Sequence, residues 1–373
     1  MARRRRRGAE GRAAGRAPGP AADDTAAPTM VIASVAEGNG SGLGPPGPYP
    51  RAQLGHELDR RWLHYAFRSA DGRLSLIANL SVLGASAASE TDPQAMSILL
   101  VHDESGWASS QFNAAVDGVP WSAFRLPRPG PRLRIGAAGG PPSLDLDLVR
   151  TGRPCTSQCA PFAVNEHLRW QSEPGIVARG SLTGRAGVHR EVTLMGYHER
   201  VRGRWAWPHL GGWVFGFANA PGEPGEPPPF AVVFTLIQPA VPHGAATASV
   251  MVWRRGRLLR HFPRRVLDVV VSGLLPRDRV VTSPPLAATL GTAPAAPVPA
   301  RLVITATTAT DRLVIDVAST TACRIVNPNE LGRSGFSVHE VLGPGRITGT
   351  LAGSDVDFTA PAVVEFAGGA DVD

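Results

Sequence analysis

The segment Trp62-Leu-His-Tyr-Ala-Phe67 is followed by Asp71-Gly-Arg73 and then by Leu74-Ser-Leu-Ile-Ala-Asn-Leu-Ser-Val-Leu83. On both sides of the Asp-Gly pair, apolar residues recur with a period of two, as in a strand that buries one face. Asp-Gly is a strong signal for the tight turn of a hairpin, because both residue types tolerate positive φ. The segment therefore predicts two antiparallel strands joined by a turn.

Similar short apolar runs continue to the end of the chain, separated by turns rich in Gly and Pro. They are Ser97–His102, Ser122–Leu126, Leu133–Ile135, Leu144–Val149, Phe230–Gln238, Ser249–Trp253, Val266–Val271, Leu302–Thr307, Leu313–Val317, Ser337–Leu342, Arg346–Leu351 and Ala362–Phe366. Windows with the helical period are few. Many short strands with turns between them predict an all-β protein of sandwich or barrel type.

Three segments are predicted along the chain of 373 residues. Residues 1–50 are rich in Ala, Gly, Pro and Arg, so they cannot bury enough apolar surface to offset their ordering entropy and are predicted to be a disordered tail. The remaining length exceeds what a single core usually holds. It divides into two β domains of similar size, residues 51–205 and residues 206–373, which we expect to lie side by side.

The formal net charge of +7 is unevenly distributed. Residues 1–30 carry seven arginines and three acids, a net charge of +4, so the rest of the chain carries only +3. A body so close to neutral lacks the basic surface that nucleic-acid binding requires. We therefore expect no nucleic-acid partner.

All 38 basic residues are arginine. The absence of lysine excludes a Schiff-base lysine, a lysine general base and the lysine of a phosphate-binding P-loop. The segment Gly42-Leu-Gly-Pro-Pro-Gly47 has the spacing of a dinucleotide-binding loop, but it follows no strand and its prolines remove backbone donors. The sequence thus predicts catalysis without a cofactor.

Metal ligands are not evident either. Cys155, Cys159 and Cys323 match neither a zinc site nor a disulfide framework, and the histidines and acids show no metal-ligand spacing. We expect no metal site, although this spacing argument does not test a site whose ligands lie far apart in the chain.

No run of eighteen apolar residues is present, so no stable membrane insertion is expected. The arginines near the N-terminus are not followed by the apolar segment of an export signal, which makes cytoplasmic the expected location. Nothing in the sequence indicates the oligomeric state.

The polar cluster Tyr197-His198-Glu199-Arg200 follows the apolar strand Val192–Met195. Loops at strand ends usually carry the chemistry of a β scaffold, so this cluster is the predicted site. If the backbone is extended there, Tyr197 and Glu199 share one face, and His198 and Arg200 the other. Glu199 is the natural general acid, because burial favours the neutral form of a carboxyl. Arg200 opposes this interpretation, since a guanidinium beside Glu199 would keep it ionised.

Several segments resemble the lipocalin-like superfamily that contains hydroxyneurosporene synthase (carotenoid 1,2-hydratase) and the lipocalin-like Diels–Alderases. They are Trp62–Phe67 with its hairpin, Gly196-Tyr-His-Glu-Arg200, Gly212-Trp-Val-Phe-Gly-Phe217 and the C-terminal pattern from Val338 to Phe366. The resemblance extends loosely over most of residues 55–370.

The second of these segments is the sharpest match, where family members usually have Gly-Tyr-x-Asp-His-x-Trp-Gly. Here Glu199 stands for the Asp and Arg200 for the His. Arg202 stands for the Trp, whereas Gly203 is kept.

The resemblance implies two lipocalin-like β domains with an apolar pocket at or near their junction. An apolar, aromatic pocket with a few polar groups suits a hydrophobic small-molecule substrate. The predicted catalytic residues are Tyr197, His198 and Glu199. The predicted substrate-binding residues are Trp62, Tyr65, Trp170, Trp205, Trp213, Gln238 and Arg200, with Trp207 as a further candidate. For any single tryptophan, core packing is the simpler explanation.

Three functions stay open at this point. The first is a cofactor-independent cyclase or isomerase acting on a polyene or polyketide-derived molecule of secondary metabolism, for example by [4+2] cycloaddition. The second is a hydratase, in which Glu199 protonates an isolated double bond and aromatic faces stabilise the cation. The third is a non-catalytic carrier, which needs the apolar pocket but not the polar cluster.

Overall fold

The computed structural model describes residues 31–34, 56–84, 94–115, 132–135, 142–159, 166–185, 187–205, 209–223, 225–240, 247–283, 297–326 and 337–368. Most of these residues lie in β-strands. The helical elements among them are 3-10 turns at Arg264–Val266 and Arg277–Arg279. The prediction of an all-β protein is confirmed. Within the described ranges, no helix is long and apolar enough to cross a bilayer.

The first sheet contains ten strands. They are β1 (Val31–Ser34), β2 (Asp59–Arg68), β3 (Ser75–Leu83), β4 (Gln94–Asp103), β5 (Gly106–Ala115), β6 (Arg132–Ile135), β7 (Ser143–Val149), β8 (Cys155–Cys159), β9 (His167–Thr183) and β10 (His189–Arg204). Eight of them follow the order β1-β8-β9-β10-β2-β3-β4-β5, while β7 pairs with β9 and β6 with β7. The strand β10 therefore lies between β9 and β2.

The second sheet contains eleven strands. They are β11 (Leu210–Asn219), β12 (Phe230–Pro239), β13 (Thr247–Arg254), β14 (Arg257–Pro263), β15 (Leu267–Leu274), β16 (Val280–Ser283), β17 (Pro299–Thr307), β18 (Arg312–Ala318), β19 (Thr321–Ile325), β20 (Ser337–Leu351) and β21 (Ser354–Gly368). Nine follow the order β14-β13-β12-β11-β21-β20-β18-β17-β15, while β19 pairs with β20 and β16 with β19. The two curled half-barrel sheets lie side by side. The chain leaves the first sheet after β10, but the proposed domain limits stay a prediction.

The predicted hairpin is formed by β2 and β3, whose antiparallel pairing reaches Arg68 and Ser75 at the turn. Gly72 adopts a φ of 72° there, a conformation that favours glycine. The Asp71 carboxylate accepts hydrogen bonds from the Ser69 hydroxyl and the backbone N–H of Arg73, at 2.5 and 3.0 Å. The Asp-Gly pair thus forms the turn that its residue types predict.

Alternation along the strands divides the apolar residues among several cores. On β2, Leu63, Tyr65 and Phe67 pack into a core formed by the first sheet alone. Ala66, on the opposite face of the same strand, packs into a core shared with Phe215 and other residues of the second sheet. We call the region between the facing sheets the junction. At the junction each sheet buries both of its faces. Many strands of the two sheets are therefore more continuously apolar than strands that expose one face to water.

Three sequence predictions need correction or lie outside the described residues. Val31–Ser34, inside the predicted disordered tail, forms β1 and pairs with β8. The rest of the tail and the predicted strand Ser122–Leu126 lie outside the described residues. The strands β9 and β10 are also far longer, at 17 and 16 residues, than the short runs that the sequence predicts.

Candidate functional site

The cluster around Tyr197 lies inside a strand, which corrects the expectation that it follows a strand end. The strand β10 runs without interruption from His189 to Arg204. Its partners are β2 and β9, and Glu199 lies opposite His64 of β2 and Ser172 of β9. The predicted alternation holds, so Tyr197 and Glu199 point together into the junction. A central strand holds these groups more rigidly than a loop would.

A β-bulge in β9 supplies a third polar group to this face. Gly196 pairs with Ile176 and Tyr197 with Pro174, so Gly175 has no partner on β10 and adopts a φ of 75°. An extra residue reverses the alternation of a strand. Ser172 therefore points toward the junction, whereas Ile176 lies in the core of the first sheet.

Glu199 is held by two donors and is 7% exposed. The indole N–H of Trp62 donates to its Oε1 at 3.2 Å, and the Tyr197 hydroxyl lies 2.8 Å from its Oε2. The same hydroxyl lies 2.9 Å from Ser172 Oγ. Burial raises the pKa of Glu199 to about 7, against the lowering effect of its two hydrogen bonds. Burial, with the charge of Glu199, also raises the pKa of Tyr197.

An apolar cavity lies beside Glu199; its space free of protein atoms is about 480 Å³ with the solvent at its mouth included, of which about 40 Å³ can hold the centre of a water molecule. Residues of both sheets line it: Trp62, Leu168, Trp170, Glu199, Val201, Trp205, Leu210, Trp213, Phe215, Thr235, Ile237 and Glu365. The rings of Trp62 and Trp205 meet edge to face with centroids 5.4 Å apart. The structure thus brings four of the predicted tryptophans to one cavity together with the predicted acid.

Two further carboxyls, on Glu340 and Glu365, meet at the same junction. The two residues are direct partners in the pairing of β20 with β21, and a carboxyl oxygen of each lies within 4.8 Å of one from the other. Glu340 is fully buried, and Glu365 accepts a hydrogen bond from the Trp213 indole N–H. Two buried carboxyls this close oppose each other's ionisation, which favours one neutral and one ionised carboxyl. Burial raises the pKa of both.

His64 completes the polar lining behind the cavity. Its Nδ1 lies 3.9 Å from Glu340 Oε1, and its ring meets the edge of Phe215 with centroids 5.9 Å apart. Burial lowers its pKa to about 4, so the imidazole is neutral. Atoms of His64, Glu340 and Glu365 lie within 4.8 Å of one another, which is the set among the described residues that a metal ion could use. A single proton held by the two carboxyls is the simpler way to balance their charge.

Besides Tyr197, which contacts Glu199 without lining the cavity, four predicted site residues do not reach the cavity. His198 and Tyr65 lie on the opposite face of the sheet, where their rings stack with centroids 4.1 Å apart. His198 Nδ1 lies 2.9 Å from the carbonyl oxygen of His64, to which it donates. Gln238 is exposed, since its neighbour Ile237 takes the cavity side of β12. Trp207 lies outside the described residues.

Arg200 is the fourth of these residues, and its position removes the objection to Glu199 as an acid. The guanidinium lies on the far face of β10, where its charge acts on Glu173. Glu173 is buried and accepts a hydrogen bond from Arg150. The charged groups of this sheet are therefore concentrated away from the cavity, and Glu199 faces Glu365 instead.

His64, Glu340 and Glu365 were not among the predicted site residues, although they lie in the segments that carry the resemblance. They stand on three strands that are distant in the chain, and the C-terminal pattern with Glu340 and Glu365 suggested a structural role. The one available signal was charge placed in apolar strands: Glu340 and Glu365 interrupt the runs Val338–Leu342 and Val363–Phe366. Chemically, the site offers a neutral acid, a proton-sharing carboxyl pair and aromatic walls.

Comparisons with known proteins give a likeness of fold. No protein-family model and no curated protein sequence matches the chain. Among solved structures, an AttH-like protein of Nitrosomonas europaea has a TM-score of 0.52 and 13% identity, and the match covers 87% of this chain and 98% of that one.

Two other solved structures match at lower TM-scores. The complex of CghA with Sch210972 has a TM-score of 0.47 and 9% identity, covering 90% of this chain and 98% of that one. Kievitone hydratase from Nectria haematococca has a TM-score of 0.45 and 10% identity, covering 88% and 96%. At these identities the likeness concerns the fold alone. The fold that the resemblance implied is confirmed: this chain folds as two facing β-sheets and is similar in fold to the AttH-like protein.

Proposed function

We propose that this protein is a cofactor-independent enzyme that cyclises or isomerises a hydrophobic, unsaturated small molecule. Its substrate class would be a polyene or a polyketide-derived chain. The observation that carries the proposal is the environment of Glu199: a buried carboxyl with a pKa of about 7 in the wall of a cavity lined by tryptophans. A carboxyl that is partly protonated at neutral pH is matched to general acid catalysis.

The hydrogen bonds around Glu199 suit both of its protonation states. In the neutral acid, the proton on Oε2 is donated to the Tyr197 oxygen, and the Tyr197 hydroxyl donates to Ser172 Oγ. In the carboxylate, both donations reverse, because a hydroxyl is donor and acceptor alike. Trp62 donates to Oε1 in either state. The Tyr197 hydroxyl therefore keeps a hydrogen bond to Glu199 in either protonation state.

The aromatic lining supports the same chemistry. Protonation of a double bond, or a strong hydrogen bond to a conjugated carbonyl, develops positive charge along the substrate. The faces of tryptophan rings attract such charge. An apolar cavity would also fold a flexible chain into a reactive conformation, which lowers the entropic part of the barrier. A [4+2] cycloaddition would use Glu199 as a hydrogen-bond donor to the carbonyl.

Hydration is the second candidate, and Glu365 is the observation that favours it. After Glu199 protonates an isolated double bond, water must add to the cation and lose a proton. Glu365 lines the same cavity and could accept that proton. The products of the two reactions differ in mass. The hydrated product is heavier than the substrate by one water, whereas the cyclised product has the mass of the substrate.

The experiment begins with native mass spectrometry of the protein purified from its own host, followed by extraction of any bound small molecule. The compound, or its acyclic precursor, is then incubated with the wild-type protein and with Glu199→Gln. An isomeric product formed only by the wild type supports cyclisation, and a product heavier by one water supports hydration instead. A bound compound that neither protein converts would show a carrier and contradict the proposal. The variant Glu226→Gln, at an exposed position, is the control.

A further inference from the structure

We propose that Glu365 is the proton acceptor of the cavity, set opposite the proton donor Glu199 and held ionised by Glu340 and Trp213. The inference rests on the proposed function and extends it, because a cyclisation or isomerisation that begins by protonation must end by loss of a proton. The base of such a reaction has to face the same cavity as the acid. Glu365 is the second carboxyl in the lining formed by the described residues.

The hydrogen-bond donors place the proton of the pair on Glu340. Neither Glu340 oxygen has a hydrogen-bond partner among the described residues, whereas Glu365 accepts from the Trp213 indole. Glu340 is also the more deeply buried of the two. The neutral form therefore belongs on Glu340. Glu365, stabilised by an indole donor, is the ionised member.

The charge on Glu365 in turn favours the neutral form of Glu199. Repulsion from Glu365 adds to burial in raising the pKa of Glu199. The other ionisable groups facing this space are Tyr197, which stays protonated, and His64, which is neutral. Two carboxyls whose environments separate their protonation states in this way are typical of an acid and a base in one active site.

Each sheet contributes one half of this arrangement. In the first sheet, Trp62 of β2 donates to Glu199 of the adjacent β10. In the second, Trp213 of β11 donates to Glu365 of the adjacent β21. The acid and the base therefore reach the cavity from opposite sheets, each held by an indole. A substrate lying between the sheets would have one carboxyl on either side.

The reaction would move one proton in and one proton out. The Glu199 O–H bond breaks and the π electrons of a substrate double bond form a new C–H bond, leaving a carbocation. A second double bond attacks the cation and closes a ring, or the cation stays in place. A C–H bond beside the cation then breaks, its electrons form the new double bond, and its proton passes to Glu365. The product is an isomer, and exchange with water returns Glu365 and Glu199 to their starting states.

Titration of the protein alone tests the charge assignment. Infrared difference spectra record the carbonyl stretch of protonated carboxyls, and Glu199→Gln identifies the band of Glu199. We expect Glu365→Gln to lower the proton affinity of Glu199 about tenfold. Glu340→Gln should leave that affinity within about twofold, because a neutral amide then replaces a neutral carboxyl. Glu173→Gln, which removes a buried carboxyl from the far face, is the control. An unchanged Glu199 titration in Glu365→Gln would overturn the inference.

A cationic probe tests the position of the charge without a known substrate. N,N-dimethyloctylammonium carries a positive charge on an apolar chain, as the carbocation would, and 1-octanol is its neutral counterpart. By calorimetry, we expect Glu365→Gln to bind the cation about tenfold more weakly than the wild type. It should bind 1-octanol equally well, which also shows that the variant is folded. Equal loss of both probes would contradict a role for the charge.

The two proposals fail in different ways. An active wild-type enzyme whose Glu365→Gln variant keeps full turnover would leave Glu199 as the acid and exclude Glu365 as the base. A protein that converts nothing, yet shows the expected titration and probe binding, would overturn the proposed function alone. Metal analysis of the protein from its own host provides one more check. A stoichiometric divalent ion that Glu340→Gln abolishes would replace the shared proton and overturn the inference.

Discussion

The indole rings of Trp62 and Trp213 stack across the junction, with centroids 6.3 Å apart and planes inclined by 23°. Each ring belongs to a different sheet, and each N–H donates to a carboxyl of its own sheet, Glu199 or Glu365. The aromatic contact that joins the sheets therefore also sets the separation of the two acids. A change in either indole should register both in the optical spectrum and in the titration of its carboxyl.

Trp213→Phe tests this relationship. Stacked indoles couple their transitions, so we expect the variant to lose part of the aromatic couplet in circular dichroism. The remainder should survive through the contact of Trp62 with Trp205. Because the Trp213 hydrogen bond lowers the pKa of Glu365, that pKa should rise further in the variant. Trp253→Phe is the matched control: Trp253 is buried, but its indole donates to the backbone of Arg153. Equal spectral changes in both variants would contradict the stacked geometry.

The contribution of Glu199 to stability should fall as pH rises, whereas the lowered pKa of His64, His261 and His339 makes their contribution rise between pH 4 and 6.5. The folded pKa of Glu199 is about 7 and its ordinary value is 4.5, so between these values the folded state binds more protons than the unfolded state. The stabilising effect is complete below pH 4.5, decreases up to pH 7, and amounts to about 3 kcal/mol at most. Glu340 and Glu365 contribute with the same sign.

Urea denaturation at pH 5 and pH 8 measures this dependence. Glu199→Gln should be less dependent on pH than the wild type and more stable than it at pH 8. Glu226→Gln, at an exposed position, should leave the dependence unchanged. A Glu199→Gln variant with the same pH dependence as the wild type would show that Glu199 is ionised when folded.

Tyr197→Phe should cost stability because it leaves buried acceptors without a partner. The hydroxyl lies between Ser172 Oγ and Glu199 Oε2, so its removal leaves both oxygens without this hydrogen-bond partner. We expect a loss of about 1–3 kcal/mol in the free energy of unfolding. The pKa of Glu199 should rise as well, since the Tyr197 hydrogen bond lowers it. Ser172→Ala removes only the hydrogen bond between Ser172 and Tyr197 and should leave the Glu199 pKa nearly unchanged. Equal shifts of the Glu199 pKa in both variants would contradict this hydrogen-bond arrangement.

The bulge at Gly175 can be tested against a glycine with the same backbone conformation. Gly175 and Gly187 have φ values of 75° and 73°. A Cβ at position 175 would lie 2.8 Å from Thr151 Oγ1 and 2.9 Å from Pro228 Cδ, whereas nothing lies within 4 Å of one at position 187. We expect Gly187→Ala to cost about 1 kcal/mol of conformational strain, and Gly175→Ala about 3 kcal/mol because of the added contacts. Thermal and urea unfolding give the comparison, and equal costs would show that the contacts relax.

Local sequence patterns predicted the strands and the acid. The period of two around Asp71-Gly72 was sufficient for the hairpin, because a turn and its flanking strands depend on neighbouring residues. The same alternation placed Tyr197 and Glu199 on one face. It failed to show that β10 continues through the polar cluster, because the pairing of Glu199 with His64 and Ser172 stabilises that extended backbone.

The residues that line the cavity show that residue type alone does not predict which aromatic side chains reach a site. Trp62, Trp170, Trp205 and Trp213 line one cavity as predicted, whereas Tyr65 faces the core of the first sheet. An aromatic residue in a strand is suited to either face. Which face the side chain takes depends on the register of the strand, and in β9 the bulge at Gly175 reverses the alternation of faces.

By itself, the sequence determined the all-β class, the hairpin and the shared face of Tyr197 and Glu199, since these depend on local period and turn chemistry. Only the tertiary structure decided that Glu340 and Glu365 oppose each other, that Glu365 faces the cavity of Glu199, and that Arg200 lies on the far side. The physical reason is burial. The proton affinity of a carboxyl depends on the water removed from it and on the charges brought near it, and here those come from strands more than a hundred residues apart.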